Sequence, residues 1–80
     1  MPTVFHFNGF DFIIYFGDHL PKHTHIFKAG AKLVINLGDE NTSPSVRNIS
    51  GMRRNDVKQA LKIADNNQKF LLEKWNEING

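Results

Sequence analysis

The 80-residue sequence contains no cysteine, so neither disulfide bonds nor thiolate metal ligands can stabilise the fold. No apolar run approaches the roughly 20 residues of a membrane-spanning helix. The first residues also lack the basic and apolar segments of a signal peptide. We therefore expect a cytoplasmic protein with no membrane partner. Because so short a chain cannot form two independent cores, residues 1–80 are expected to form a single domain.

The net charge is modest and unevenly distributed along the chain, whereas aromatic residues are abundant. Seven Phe, one Trp and one Tyr supply enough large side chains for a core of this size. The formal net charge is +2, and residues 1–52 balance four basic against four acidic residues. Residues 53–80 contain six basic and four acidic residues, so the C-terminal third carries all the net positive charge.

The first two thirds of the sequence show the period-two alternation and turn residues of short β-strands. Asn8-Gly9 is the strongest two-residue signal for a hairpin turn, and Ala29-Gly30 is a second turn. In the strand that follows, Leu33, Ile35 and Leu37 face one side. The predicted strands are Thr3–Phe7, 10–16, His23–Lys28, 31–37 and, less clearly, a short edge strand at 45–49.

From about residue 53 the apolar spacing becomes helical. The apolar positions are Val57, Leu61, Ala64, Leu71, Trp75 and Ile78. Gln68 occupies a gap in this stripe, and Asn66-Asn67 beside it favour helices only weakly, so two shorter helices are the alternative. We predict one long helix. The expected fold class is therefore α+β, a small antiparallel sheet of four or five strands packed against a long C-terminal helix.

Three of the four histidines lie within seven residues, next to an aspartate. His23 and His25 are two apart on a predicted strand, so they project from one face about 6.5 Å apart along the chain. Neutral imidazole binds divalent transition metals such as zinc, nickel, copper or iron. The predicted metal ligands are His19, His23, His25 and Asp18, with His6 as an alternative to the aspartate.

The same histidines allow two further interpretations. His19, His23 and His25 titrate near neutral pH, so they could act without a metal as catalytic general acids and bases on an RNA 2′-hydroxyl. Alternatively, two of them are half-buried fillers of a strand and the third is a turn residue. The spacing does not distinguish these interpretations from a metal site.

A row of basic residues is predicted on one side of the helix. Arg54, Lys58 and Lys62 are spaced by four residues, so neighbouring like charges repel by a few tenths of a kcal/mol. Together with Arg53 and Arg47, the row is a candidate nucleic-acid-binding surface for RNA or DNA phosphates, or a contact for an acidic protein. The alternative is an ordinary solvated helix face, softened by nearby aspartates.

Residues 1–4 (MPTV), residues 15–25 (YFGDHLPKHTH) and a helix ending near Trp75 resemble the bacterial domain-of-unknown-function 4160 (DUF4160) family. The specific part is the His-x-Pro-x-His-x-His core of His19, Pro21, His23 and His25. Members are small single-domain proteins, often encoded beside a second small domain of unknown function, in an arrangement that resembles a toxin–antitoxin pair. The resemblance implies a similar fold and importance for these four residues, but no established activity. Lys22 departs from the pattern, which has a second proline there.

Three functional hypotheses follow from these features. The first is a toxin–antitoxin-type component that acts on or binds nucleic acid through the histidines and the basic row. The second is a metal-binding module without catalysis. The third is a protein-interaction module that meets a small acidic protein encoded nearby. Oligomer formation through the edges of so small a sheet is compatible with all three.

Overall fold

A five-stranded antiparallel sheet followed by two helices forms the computed structural model, which describes residues 3–80. Strands that are consecutive in the chain are neighbours in the sheet, in the order β1-β2-β3-β4-β5. The strands are β1 (Thr3–Phe7), β2 (Phe10–Ile13), β3 (His23–Lys28), β4 (Ala31–Asn36) and β5 (Ser45–Ser50). The helices are α1 (Arg54–Asn66) and α2 (Gln68–Asn79). The predicted α+β class is confirmed.

The turn between β1 and β2 has the geometry that its sequence predicts. Asn8 and Gly9 both have positive φ angles, 52° and 82°, as a two-residue type I′ hairpin turn requires. The turn pairs Phe7 with Phe10 and His6 with Asp11. A local sequence signal therefore sets the register of the first hairpin.

One face of the sheet packs against both helices and forms the hydrophobic core. Leu33, Ile35 and Leu37 share this face as predicted, and each is at most 1% exposed. Fully burying a side chain of this size contributes about 1.5 to 3 kcal/mol. The other core residues are Phe10, Phe12, Ile14, Ile26, Met52, Ala60, Ile63, Ala64, Leu71 and Trp75.

The opposite face of the sheet, here called the open face, carries the side chains that alternate with the core. His25 pairs with Val34, Phe27 with Lys32, and Val34 with Asn48, which places these five residues on the open face. At the edge of the sheet, β5 is exposed along its whole length. The predicted fifth strand is thus present as an edge strand.

The prediction of one long helix is wrong, because Asn67 interrupts it. Asn67 has φ −119° and ψ 19°, outside the helical region, and its side-chain amide donates to the carbonyl of Ile63 at 2.8 Å. Asparagine side chains compete with helical backbone hydrogen bonds in this way. The chain re-enters a helix at once, since the amide of Leu71 donates to the carbonyl of Asn67.

The second strand is shorter than predicted and ends at Ile13 rather than at residue 16. Beyond it, the carbonyl of Tyr15 accepts a hydrogen bond from the side chain of Asn79 at 3.0 Å. This carbonyl is therefore hydrogen-bonded to α2 rather than to a neighbouring strand, and residues 14–22 form a loop. Neither helix within residues 3–80 has the length and apolar character needed to cross a membrane.

Candidate metal centre

Three predicted ligands converge where the loop before β3 meets the start of that strand. Asp18 lies in the loop, and His23 and His25 are the first and third residues of β3. Their two imidazole rings are neighbours, with centroids 5.2 Å apart. The period-two alternation of the strand therefore brings the histidines together, as the sequence predicts.

The distances among the donor atoms suit a single ion. Oδ2 of Asp18 lies 3.4 Å from Nε2 of His23 and 3.4 Å from Nε2 of His25. One ligand atom of each residue lies within 4.8 Å of the others. Zinc binds such ligands at about 2.0 to 2.2 Å, which places two ligands of a tetrahedral site roughly 3.3 to 3.6 Å apart. The carboxylate is thus at the right separation from both imidazoles.

Two of the three donor atoms are buried without hydrogen-bond partners. Oδ2 of Asp18 and Nε2 of His25 are inaccessible to solvent and have no hydrogen-bond partner within residues 3–80. Separations of 3.4 Å are too long for strong hydrogen bonds between these groups. Buried polar atoms almost always have partners, so these two neighbouring atoms are chemically suited to share an ion or a water.

Hydrogen bonding fixes the orientation of the His23 ring. Nδ1 of His23 donates to the carbonyl of Pro21 at 2.8 Å, which directs Nε2 toward the carboxylate of Asp18. Metal-bound histidines commonly donate their second ring nitrogen to a carbonyl in this manner. The ring also lies 5.3 Å from that of Trp75, and His23 is only 6% exposed.

Electrostatics favour a neutral His25. Burial lowers the pKa of His25 below its ordinary value of 6.5; Asp18 opposes this shift, and Coulomb interactions with His23 and Arg47 add to it. Neutral imidazole is the form that binds metals. The ring of Tyr15 packs edge-on against His25 at 4.7 Å and shields one side of it.

A family model for a domain of unknown function (DUF4160) matches residues 9–76, which include all three clustered residues. The chain therefore belongs to the DUF4160 family. No curated protein and no solved structure matches the chain.

The remaining histidines of this DUF4160 domain lie outside the cluster. His19 is exposed in the loop and is not among the three converging residues. His6 is also exposed, and its Nδ1 contacts the carboxylate of Asp11 across the first hairpin. Of the residues that the sequence singled out as ligands, the structure thus brings together Asp18, His23 and His25.

The basic residues of the DUF4160 domain are split between two faces of the sheet. Arg53 directly precedes α1, and Arg54, Lys58 and Lys62 are exposed on that helix, which packs on the core face. Arg47 lies on β5, where its charge acts on His25. The helical row and the histidines therefore do not line one surface.

Two contributors to the cluster were not predicted from the sequence. The carbonyl of Pro21 orients His23, and Trp75 packs against the same ring from a helix 52 positions away. The resemblance seen in the sequence pointed to Pro21, but not to the role of its carbonyl. No local signal connects Trp75 to the histidines.

Proposed function

We propose that this protein is a metal-binding domain in which Asp18, His23 and His25 hold a divalent transition metal such as zinc. The observation that carries the proposal is the convergence of three donor atoms of which two, Oδ2 of Asp18 and Nε2 of His25, have no other partner within residues 3–80. Two imidazoles and one carboxylate suit zinc, iron and neighbouring metals.

The hydrogen-bonding pattern is compatible with a cation between Asp18 and His23. The Nδ1 proton of a neutral His23 is used by the Pro21 carbonyl, so a lone pair on Nε2 faces the Asp18 carboxylate 3.4 Å away. Two electron-rich atoms repel each other unless a cation or a proton lies between them. A metal at this point would also take the unpaired Nε2 of His25.

Three protein ligands leave at least one coordination position open, since a purely structural zinc site is normally closed by four. His19 is exposed outside the cluster, and the three ligands come from the loop before β3 and from β3 itself. An open position permits a bound water or ligand. The domain is thus proposed as a site that presents a metal, rather than one that uses it only for stability.

Two other hypotheses from the sequence stay predictions. A nucleic-acid-directed, toxin-like activity was expected to use the histidines and the helical basic row on one substrate. That joint use has less support, because α1 packs on the core face and His25 projects from the open face. An acidic protein partner for the helical row is compatible with its exposure, but no contact within residues 3–80 favours it.

Metal titration of the purified protein tests the proposal. Protein stripped with a chelator is titrated with Co²⁺, followed by visible absorption, and with Zn²⁺, followed by calorimetry. Asp18→Asn keeps the size of the side chain and His25→Ala alters a partly exposed position, so both variants are expected to fold. We expect 1:1 binding by the wild type and at least a tenfold loss in each variant.

Two histidine variants provide matched controls. His6→Ala removes an exposed histidine from the first hairpin and should leave binding unchanged. His19→Ala tests whether His19 becomes a ligand once metal is present. In that case the metal affinity of this variant also falls. Unaltered binding in Asp18→Asn and His25→Ala, with circular dichroism showing folded protein, would falsify the proposed site.

A further inference from the structure

A groove on the open face begins at the candidate metal centre. It has a volume of about 340 Å³, and its polar and aromatic lining consists of His25, Phe27, Lys32, Asn48 and Ser50. His25 belongs both to this groove and to the metal cluster. A ligand in the groove would therefore lie beside the metal. Pockets for small ligands begin at about 300 Å³, so the groove fits one small unit.

The groove combines a flat ring with positive charge. The ring of Phe27 is half-buried, and Nζ of Lys32 lies 5.8 Å from its centroid. Arg47 lies on β5 at a register shift opposite β4, directly before Asn48. Its charge is close enough to the groove to act on His25. Lys32, level with Phe27, and Arg47, next to Asn48, thus contribute positive charge along the groove.

The acidic residues near the groove are already engaged. Asp11 pairs with Phe27 in the sheet, but its carboxylate contacts His6. Asp18 belongs to the metal cluster. Neither carboxylate is paired with Lys32 or Arg47, so both cations are available to a ligand, and the amide of Asn48 and the hydroxyl of Ser50 add neutral hydrogen-bonding groups.

We propose that the groove binds a nucleotide, with its base against Phe27 and its phosphate near Lys32, Arg47 and the metal. An aromatic ring offers a stacking surface to any base, and Arg and Lys bind phosphate oxygens. An acidic peptide would use the cations but not the ring. The contact between phosphate and metal rests on the proposed function, whereas the contacts with Phe27 and the two cations do not.

The test uses the full chain, both stripped of metal and loaded with Mn²⁺. Adenosine 5′-monophosphate is compared with adenosine, which lacks the phosphate, with inorganic phosphate, which lacks the base, and with a short adenine-only RNA. Amide NMR of the metal-free protein should show shifts at Phe27, Lys32 and Asn48 with the nucleotide, at lower concentration than with either fragment. In the Mn²⁺ protein, the phosphorus resonance of the nucleotide should broaden.

Matched variants locate the binding site. Phe27→Leu removes the ring but keeps an apolar side chain, and Arg47→Gln removes one cation. Each should weaken nucleotide binding about tenfold, with Arg47→Lys partly restoring it. Arg54→Gln removes an exposed arginine from α1 on the other face and should bind as the wild type does.

The outcomes separate this inference from the metal proposal. Nucleotide binding without metal binding would overturn the metal centre and leave the groove supported, whereas metal binding without nucleotide shifts would overturn the groove alone. If the RNA binds more tightly than the mononucleotide, the natural ligand is a nucleotide within an RNA strand. If the two bind equally, the natural ligand is a free nucleotide. Wild-type affinity in both Phe27→Leu and Arg47→Gln, or binding of a polyglutamate peptide but not of the nucleotide, would overturn the inference.

Discussion

Gln68, the first residue of α2, anchors the loop between β4 and β5. Its Nε2 lies 2.8 Å from the carbonyl oxygen of Leu37, 2.9 Å from that of Asp39 and 2.8 Å from that of Thr42. One amide group with two protons therefore serves three backbone acceptors. This is the residue that interrupts the apolar stripe of the C-terminal helices.

The size of its contribution follows from which carbonyls water can reach. In Gln68→Ala, water can replace the amide at the exposed Asp39 and Thr42 carbonyls, but less easily at the part-buried Leu37 carbonyl. One carbonyl left unsatisfied costs about 1 to 3 kcal/mol. Gln68→Glu keeps the shape of the side chain but places a carboxylate against three carbonyl oxygens. We therefore expect it to lower the free energy of unfolding by about 2 to 4 kcal/mol, more than alanine does.

Urea unfolding followed by circular dichroism measures these free energies of unfolding. Gln59→Glu, an equivalent change at an exposed position of α1, serves as the control and should stay within about 0.5 kcal/mol of the wild type. The amides of Asp39 and Thr42, which bond to each other's carbonyls at 3.0 and 3.1 Å, should also exchange faster in both Gln68 variants. The reasoning fails if Gln68→Glu is no less stable than Gln68→Ala, or no less stable than Gln59→Glu.

Two further predictions concern stability. Gly38→Ala should destabilise the fold by several kcal/mol, because φ is +70° and a Cβ would lie 2.2 Å from the Thr42 carbonyl oxygen. The control is Gly30→Ala, where φ is +83° and the space is open, and it should cost about 1 to 2 kcal/mol. Equal losses of the free energy of unfolding in urea would contradict the predicted clash. For metal-free protein, the free energy of unfolding should fall as the pH is lowered through 6.5, because His25 has a lowered pKa when folded and the unfolded chain then binds more protons. Urea unfolding at a series of pH values should show a shallower dependence for His25→Gln, and an unchanged slope would refute the assignment.

Much of the sheet could be predicted because its signals are local. Asn8-Gly9 specifies its own turn, and the alternation of Leu33, Ile35 and Leu37 specifies which face is buried. The sequence predicted one long helix and left a break between α1 and α2 as the alternative. The role of the polar residue at position 68 cannot be recognised from the sequence, because it depends on its hydrogen-bond partners. Those partners are carbonyls at least 26 positions away, which no helical periodicity reveals.

The candidate site was predictable to the extent that it depends on a strand. The spacing of His23 and His25 requires them to share a face, and Asp18 was near enough in sequence to be considered. Sequence spacing could not show that His19 is exposed, because a loop has no fixed period. It also could not show that the helical basic row lies on the other face, because that depends on how α1 packs.

The C-terminal end of α2 holds the loop that supplies the carboxylate. Oδ1 of Asn79 accepts from the Gly17 amide at 2.7 Å, while its Nδ2 donates to the Tyr15 carbonyl, so one side chain secures the segment directly before Asp18. At the other end of the loop, Lys22 donates to Asn76 at 2.9 Å. The separation of the carboxylate from the imidazoles therefore depends on the docking of α2. By linkage, any ion that binds the assembled ligands in preference to separated ones also stabilises that docking, so the proposed metal would strengthen the attachment of α2 to this loop.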